Sequence, residues 1–191
     1  QLFATLEMLK WELPTLEHVL FGRMRFGDSS MSTRKGNILK LGEVLDEAVA
    51  RATTVITERG EKIQTDDPEG LAEMMGIGSI VYGVLSQNRK MAMVFDWDRM
   101  LSFEGNSAPY LQYTYARARS VLRKADVEHA APIAATHELS RQERRLTKTL
   151  GIFGEVLATA RCEHVPHKLC QYLYELCQAY NSFYNTDEIL T

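Results

Sequence analysis

The sequence predicts a mainly α-helical fold, a helical bundle preceded by a shorter α/β piece. Three observations carry that expectation. Apolar residues recur at alternating four- and three-residue steps through Leu146, Leu150, Phe153, Leu157 and Ala160, and a second stripe runs through Leu169, Leu173, Leu176, Tyr180 and Phe183. That is the period of one helix face. Helix-start signals stand where such runs need them: Asp67 before Pro68, and Ser140 three residues ahead of Glu143. Alternation of the kind that marks a strand is confined to residues 18–26 and 91–97.

Taken in order, residues 2–13 read as a helix with Leu2, Phe3, Leu6, Leu9 and Leu13 on one stripe, stopped by Pro14. Residues 18–26 read as a strand, and 28–37, rich in Ser, Thr and Gly, as a loop. Residues 42–59 read as a helix with Leu45, Ala48, Val49, Ala52, Val55 and Ile56 inward and Gly60 as its stop. The polar stretch 61–67 is the expected domain boundary, dividing 1–62 from 63–191. A helix over 68–88 is expected to bury Leu71, Met74, Met75, Gly78, Val81 and Leu85. Its glycines at 76, 78 and 83 each cost roughly 1 kcal/mol relative to Ala, which close backbone packing offsets.

Met91, Met93, Phe95 and Trp97 alternate with smaller or polar residues, an extended segment. A loop through Gly105-Asn106 then leads to a helix from Pro109 to about Ala125, with Leu111, Tyr115, Ala118, Leu122 and Ala125 as its core stripe. Residues 126–138 read as a linker. Ser140 and Glu143 form a capping box that opens one long helix, and Pro166 starts the last. No internal repeat is visible.

Bulk properties narrow the function classes. A hydrophobic fraction of 45% and a charged fraction of 25% are ordinary for a globular protein. No apolar run is long enough to cross a bilayer, and the first residues mix Glu7, Lys10 and Glu12 into an apolar pattern unlike a signal peptide. Three cysteines make no disulfide framework, so a reducing cytoplasm is the simpler setting. The apolar stripe that begins at Leu2 suggests a chain that enters its fold midway, a fragment. A net charge of −3 argues against a general nucleic-acid binder but leaves room for a directed one. Two basic groups exist, Arg117, Arg119, Arg123 and Lys124, then Arg141, Arg144, Arg145 and Lys148; from pattern alone a solvated helix face is the commoner reading of either.

The stretch Met31-Ser32-Thr33-Arg34-Lys35-Gly36-Asn37 carries the most chemistry. Small hydroxyls, two adjacent cations and a Gly-Asn pair suit a loop that wraps polyphosphate: the cations neutralise charge as pyrophosphate departs, and the Gly lets the backbone bend near the ligand. Such loops also occur as plain solvated turns. It is not a Walker P-loop, because the G-x-x-x-x-G-K-[ST] frame is missing.

In context the stretch resembles a known family. His18-Val-Leu-Phe-Gly22, the 31–37 loop and Leu41-x-x-x-Leu45-x-Glu47-Ala48 together resemble the class I signature loop as arginyl-tRNA synthetases carry it. Phe103-Glu-Gly-Asn-Ser-Ala-Pro-Tyr-Leu-Gln-Tyr113 with Ala116, Arg117, Arg119 and Ser120 is similar to the opening of that family's anticodon-binding domain. Pro166-His167-x-Leu169-x-x-Tyr172-Leu173 and Asn181-x-Phe183-Tyr184-Asn185 are a third match, in the expected order. The resemblance implies an arginine–tRNA ligase, which uses ATP, with Mg²⁺ nearby, to form arginyl-adenylate and then charges its tRNA. Residues 1–62 would be the end of a Rossmann-type catalytic domain with its signature loop at 30–37. Residues 63–191 would be the helical anticodon-binding domain without its last helix. Arg34 and Lys35 would be the catalytic cations and Met31, Ser32, Thr33 and Gly36 the ATP-binding residues. The partners implied are tRNA(Arg), arginine and ATP, and the chain is expected to be a cytoplasmic monomer.

There are departures. The general class I loop has lysines where this chain has Ser30 and Thr33, which leaves open which cation meets pyrophosphate. The family's H-x-G-H motif should lie far upstream of the loop. The one similar spacing, His164-Val-Pro-His167, has Pro for Gly and stands downstream. The fragment alone is therefore expected not to catalyse. A stand-alone tRNA-binding module and a helical scaffold without an RNA role are the alternatives.

The tRNA face is expected on the helix from Pro109. Tyr110, Tyr113, Arg117 and Arg123 lie off its core stripe, and interleaved aromatics and arginines suit unstacked bases. Residue pattern alone allows equally that both tyrosines are half-buried core edges; the resemblance favours tRNA contact and adds Tyr184. Cys162, His164, His167 and Cys170 bunch like metal ligands, but their spacing matches no common structural zinc pattern, so no metal is expected.

Overall fold

The structure is a computed structural model that describes residues 1–12, 14–26, 29–30, 40–60, 63, 65–125 and 138–189. Helix α1 spans Leu2–Met8. It ends well ahead of Pro14, where Lys10 takes a left-handed φ of 54°. Strand β1, Met24–Phe26, is the middle strand of a three-stranded sheet. It pairs antiparallel with β2, Ser29–Ser30, and parallel with β3, Met93–Phe95. The strand expected over 18–26 is thus realised only over 24–26, where neighbouring strands supply a ladder. Residues 14–23 run without regular structure.

Helix α2, Leu41–Arg59, closes at Gly60, which takes a left-handed φ of 44°. Its buried face is Val44, Ala48, Ala52 and Ile56, with Leu45, Val49 and Val55 half-buried beside it. Helix α3, Pro68–Leu85, starts as expected, with the Asp67 carboxylate accepting from Gly70 N–H at 2.9 Å. Its buried face differs from the expected one. Ala72, Met75, Gly76, Ser79, Ile80 and Gly83 face inward, while Met74 is 61% and Val81 50% exposed. The reason is the approach of α2: a Cβ on Gly76 would sit 2.8 Å from the carbonyl carbon and oxygen of Ala48. Small residues let two helix backbones meet there, so size rather than hydropathy decides the inward face.

Two adjoining cores result. One gathers Val44, Ala48, Ile80, Met93, Phe95 and Met100; the other gathers Ala52, Ile56, Ala72, Met75 and Leu101. Both cross the 61–67 connection, so the segments on either side of it share one packing unit. The short helix α4, Trp97–Met100, puts Trp97 against both, edge-on to Phe95 at 4.7 Å.

The bundle follows. Helix α5 spans Ala108–Lys124, α6 Arg141–Gly151, α7 Phe153–Cys162 and α8 Pro166–Thr186. The capping box at Ser140 and Glu143 is formed. The single long helix expected after it is two, broken at Ile152, where Gly151 and Gly154 lower helix propensity on both sides. Both pieces pack against α8, and their expected core stripe stays partly open, with Leu150 53% exposed. The stripe expected on α5 is also corrected: Ala108, Pro109 and Thr114 are buried, whereas Tyr115 is 67% exposed. The more polar side of α5 turns toward α8 because hydrogen bonds compensate its burial there.

Candidate nucleic-acid interface

The site is built on α5 and the C-terminal half of α8. Ser107 caps α5, accepting from Tyr110 N–H at 3.4 Å, and Pro109 in the first turn is wholly buried. One helical turn apart on the same side stand Tyr110, Thr114 and Arg117, and Asn181 of α8 meets all three. Its amide donates to the Tyr110 hydroxyl at 3.1 Å and to Thr114 Oγ1 at 2.9 Å, and its carbonyl accepts from Arg117 Nη1 at 2.7 Å. Tyr110 also packs edge-on against Tyr174, ring centres 5.6 Å apart. Tyr110 is therefore a half-buried interface residue, with its ring committed to α8.

Arg117 stands at the edge of this network. Its guanidinium carbon lies 4.7 Å from the centre of the Tyr113 ring and 4.6 Å from that of Tyr184, and Nη2 donates to the Tyr113 hydroxyl at 2.7 Å. The cation is held by ring quadrupoles and two hydrogen bonds at once. Tyr113 is 46% and Tyr184 36% exposed, so both rings keep open surface. Tyr180 packs beside Tyr184, and burial pushes its phenol above the ordinary range, Tyr184 adding to the rise and Arg117 opposing it.

Arg117, Tyr113 and Tyr184 line an open cavity of about 740 Å³. Leu71, Met74 and Phe103 bring apolar surface to it, and Tyr115, Gln112 and Ser120 line it from α5. A cavity of that size, lined by apolar and aromatic side chains and one cation, suits a flat, partly polar ring attached to a negatively charged backbone. Arg123 and Lys124 extend positive charge into the exposed last turn of α5. Four of the five residues expected at the RNA face, Tyr110, Tyr113, Arg117 and Tyr184, are thus brought together, and Arg123 lies beyond them along α5. Sequence reading assigned no role to Asn181, Gln112 or Phe103. The signal available for Asn181 was a polar residue among the apolar residues of the last helix.

The other expected residues fall elsewhere. Arg34, Lys35, Met31, Ser32, Thr33 and Gly36 lie outside the described residues; Ser30 is on β2, paired with Arg25 of β1. Of the Cys/His group, Cys170 is buried, and burial raises its thiol, whereas Cys162 is exposed. His164 faces the Glu17 carboxylate at 3.2 Å. Among the described residues no three His, Cys, Asp or Glu side chains are placed to hold a metal ion, and no helix is long and apolar enough to cross a membrane. In the second basic group, Arg144 is tied to Glu138 at 2.9 Å and to the Leu139 carbonyl at 3.0 Å.

A bundle with an arginine–tyrosine cluster, joined to a small three-stranded sheet, is what this chain shares with class I aminoacyl-tRNA synthetases. Residues 1–97 match the family described as tRNA synthetases class I (R), catalytic domain, and residues 111–191 match the DALR anticodon binding domain. The arginine–tRNA ligase of Haemophilus influenzae (strain PittGG) is 45% identical over 92% of this chain and 31% of its own length. That of Fusobacterium nucleatum subsp. nucleatum is 42% identical over 100% of this chain and 34% of its own. The Thermus thermophilus arginyl-tRNA synthetase structure superposes with a TM-score of 0.76 at 34% identity, covering 88% of this chain and 27% of that one. The chain belongs to the arginyl-tRNA synthetase family, matching the end of its class I catalytic domain and its anticodon-binding domain. It spans about a third of the length of the curated relatives it matches.

Proposed function

We propose that this chain is the tRNA-facing part of an arginine–tRNA ligase, an enzyme that joins arginine to tRNA(Arg) through an ATP-derived arginyl-adenylate. The observation that carries the reading is the Arg117 guanidinium held against the Tyr113 and Tyr184 rings in the lining of the 740 Å³ cavity. An unstacked anticodon base would lie against the exposed tyrosine faces, with Arg117 and Arg123 meeting phosphate or a base edge. Tyr110 would act through Asn181, by fixing the side of α5 that meets α8.

Division of labour follows the expected boundary: 1–62 serves the ATP side and 63–191 the tRNA side. Because both cores cross 61–67, this is a division of chemistry between parts that fold together. Arg34 and Lys35 would stabilise charge that develops on pyrophosphate, with Met31, Ser32, Thr33 and Gly36 closing around ATP. Mg²⁺ would accompany the nucleotide there. The chain by itself is proposed to bind RNA weakly, as a cytoplasmic monomer, and not to form the adenylate.

The test is a titration of the chain with a labelled tRNA(Arg) anticodon stem-loop and a scrambled-anticodon control, at low and moderate salt. The native stem-loop should bind more tightly, and Arg123→Ala should lower the salt slope by about 1. Equal binding of both RNAs, unmoved by Arg123→Ala or Tyr113→Ala, would make this face structural.

A further inference from the structure

The turn between α3 and β3 carries an arginine whose side chain reaches two distant segments. Arg89 donates from Nη1 to the Leu20 carbonyl at 2.5 Å, from Nε to the His164 carbonyl at 2.6 Å, and from Nη2 to the Glu163 carbonyl at 3.2 Å. Its own carbonyl accepts from Gly22 N–H at 2.5 Å. One residue therefore joins the stretch that leads into β1 to the turn between α7 and α8.

Local features are arranged around these bonds. Gly22 is pressed so closely against the Met91 backbone that a Cβ would collide with the Met91 carbonyl. His164 holds a left-handed φ of 52°, uncommon for a residue with a side chain, and in that turn two successive carbonyls meet one guanidinium. A second tie runs parallel to the first, from His164 Nδ1 to Glu17 at 3.2 Å, between exposed groups. Only arginine has a planar fork with enough donors to serve three carbonyls at once.

The position of this clamp matters more than its strength. β1 lies between β3 and β2, and Ser30 of β2 opens the 30–37 segment. Arg89 meets α8 just ahead of its first turn, while Asn181 and Tyr184 stand near the other end of the same 21-residue helix. Hydrogen-bond networks joined to rigid helices are the elements through which distant sites couple.

We propose that Arg89 is a positioning residue that fixes the strand feeding the 30–37 segment to the N-terminal end of α8, so that RNA bound near the C-terminal end of α8 is felt at β1. The second half of this statement rests on the RNA role proposed above; the first does not.

Amide hydrogen exchange on the chain tests both halves. Without RNA, Arg89→Ala should speed exchange across 18–26 by about tenfold while α5 and α8 keep their protection. Arg89→Lys keeps the charge but not the fork, and should restore part of that protection. With saturating stem-loop, Met24–Phe26 should exchange more slowly in the parent chain and not in Arg89→Ala, although both bind the RNA within about twofold. Unchanged exchange at 18–26 in RNA-free Arg89→Ala would overturn the positioning role. Equal RNA-induced protection in parent and variant would overturn the coupling. If the stem-loop fails to bind the parent chain, the RNA reading and the coupling fall together, and positioning is decided by the RNA-free arm. Should Arg89→Ala unfold the chain, Arg89→Lys carries the test with the same expected direction.

Discussion

Asn181 on α8 holds Arg117 on α5, its side-chain carbonyl accepting from Nη1 at 2.7 Å while its amide serves Thr114 and Tyr110. One side chain thereby satisfies three groups on one side of α5 and decides which side of that helix meets α8.

Asn181→Leu should therefore destabilise the chain by about 1–3 kcal/mol, since it strips partners from groups at a part-buried interface. A urea titration followed by circular dichroism reads this as a lowered midpoint with unchanged slope. A midpoint equal to the parent's would show that water replaces the amide without loss.

Tyr113 and Tyr110 should separate binding from stability. Tyr113→Ala removes a half-exposed ring and should cost the stem-loop complex on the order of 1–3 kcal/mol with little change in melting temperature. Tyr110→Ala removes the ring packed on Tyr174 and should lower the melting temperature first. The reverse pattern would mean that Tyr110 is the base platform and Tyr113 a structural residue.

Glycine replacements test the α2–α3 contact. Gly76→Ala places a methyl group against the Ala48 backbone and should cost about 1–3 kcal/mol. Gly154→Ala, with open space around its Cβ, should be neutral or stabilise by up to about 1 kcal/mol. A stable Gly76→Ala variant would mean that the helices can separate without loss.

His167 should make stability fall with acid. Burial is the main cause that lowers its pKa below 6.5, with Lys168 and Arg89 adding to it. The folded state thus binds this proton more weakly than the unfolded state. Its contribution is full above about pH 6.5 and is lost as pH falls from there through the lowered folded value. Melting temperatures at about pH 7.5 and 5.5 should differ more for the parent than for His167→Gln, which cannot titrate. Equal differences would assign the acid sensitivity to other groups.

Much of this protein is written locally. The helix starts at Pro68, Ser140 and Pro166 and the glycine stop at Gly60 are where the residues indicate, because a cap, or a proline in the first turn, acts within a turn of itself. The motifs around 18–48, 103–120 and 166–185 likewise point to the family that the comparisons give. The 31–37 segment, which carries the catalytic expectation, lies outside the described residues, so its reading rests on sequence alone.

Facing was another matter. Met74 and Tyr115 look like core and lie exposed; Ser79 and Thr114 fall outside the expected stripes and lie buried, as does Gly76, in the close backbone packing that its glycine suggests. The period of a helix says that one face will be covered, but not how close the neighbour comes or what it offers in return. At Gly76 the answer is the Ala48 backbone, and at Thr114 it is the Asn181 amide. Sequence by itself determined where most of the helices lie, their order and the family. Tertiary structure alone decided which sides of α3 and α5 turn inward, and with them the Arg117–Tyr113–Tyr184 cluster and the Arg89 clamp, because those depend on groups far apart in the chain whose bonds exist only once the helices have met.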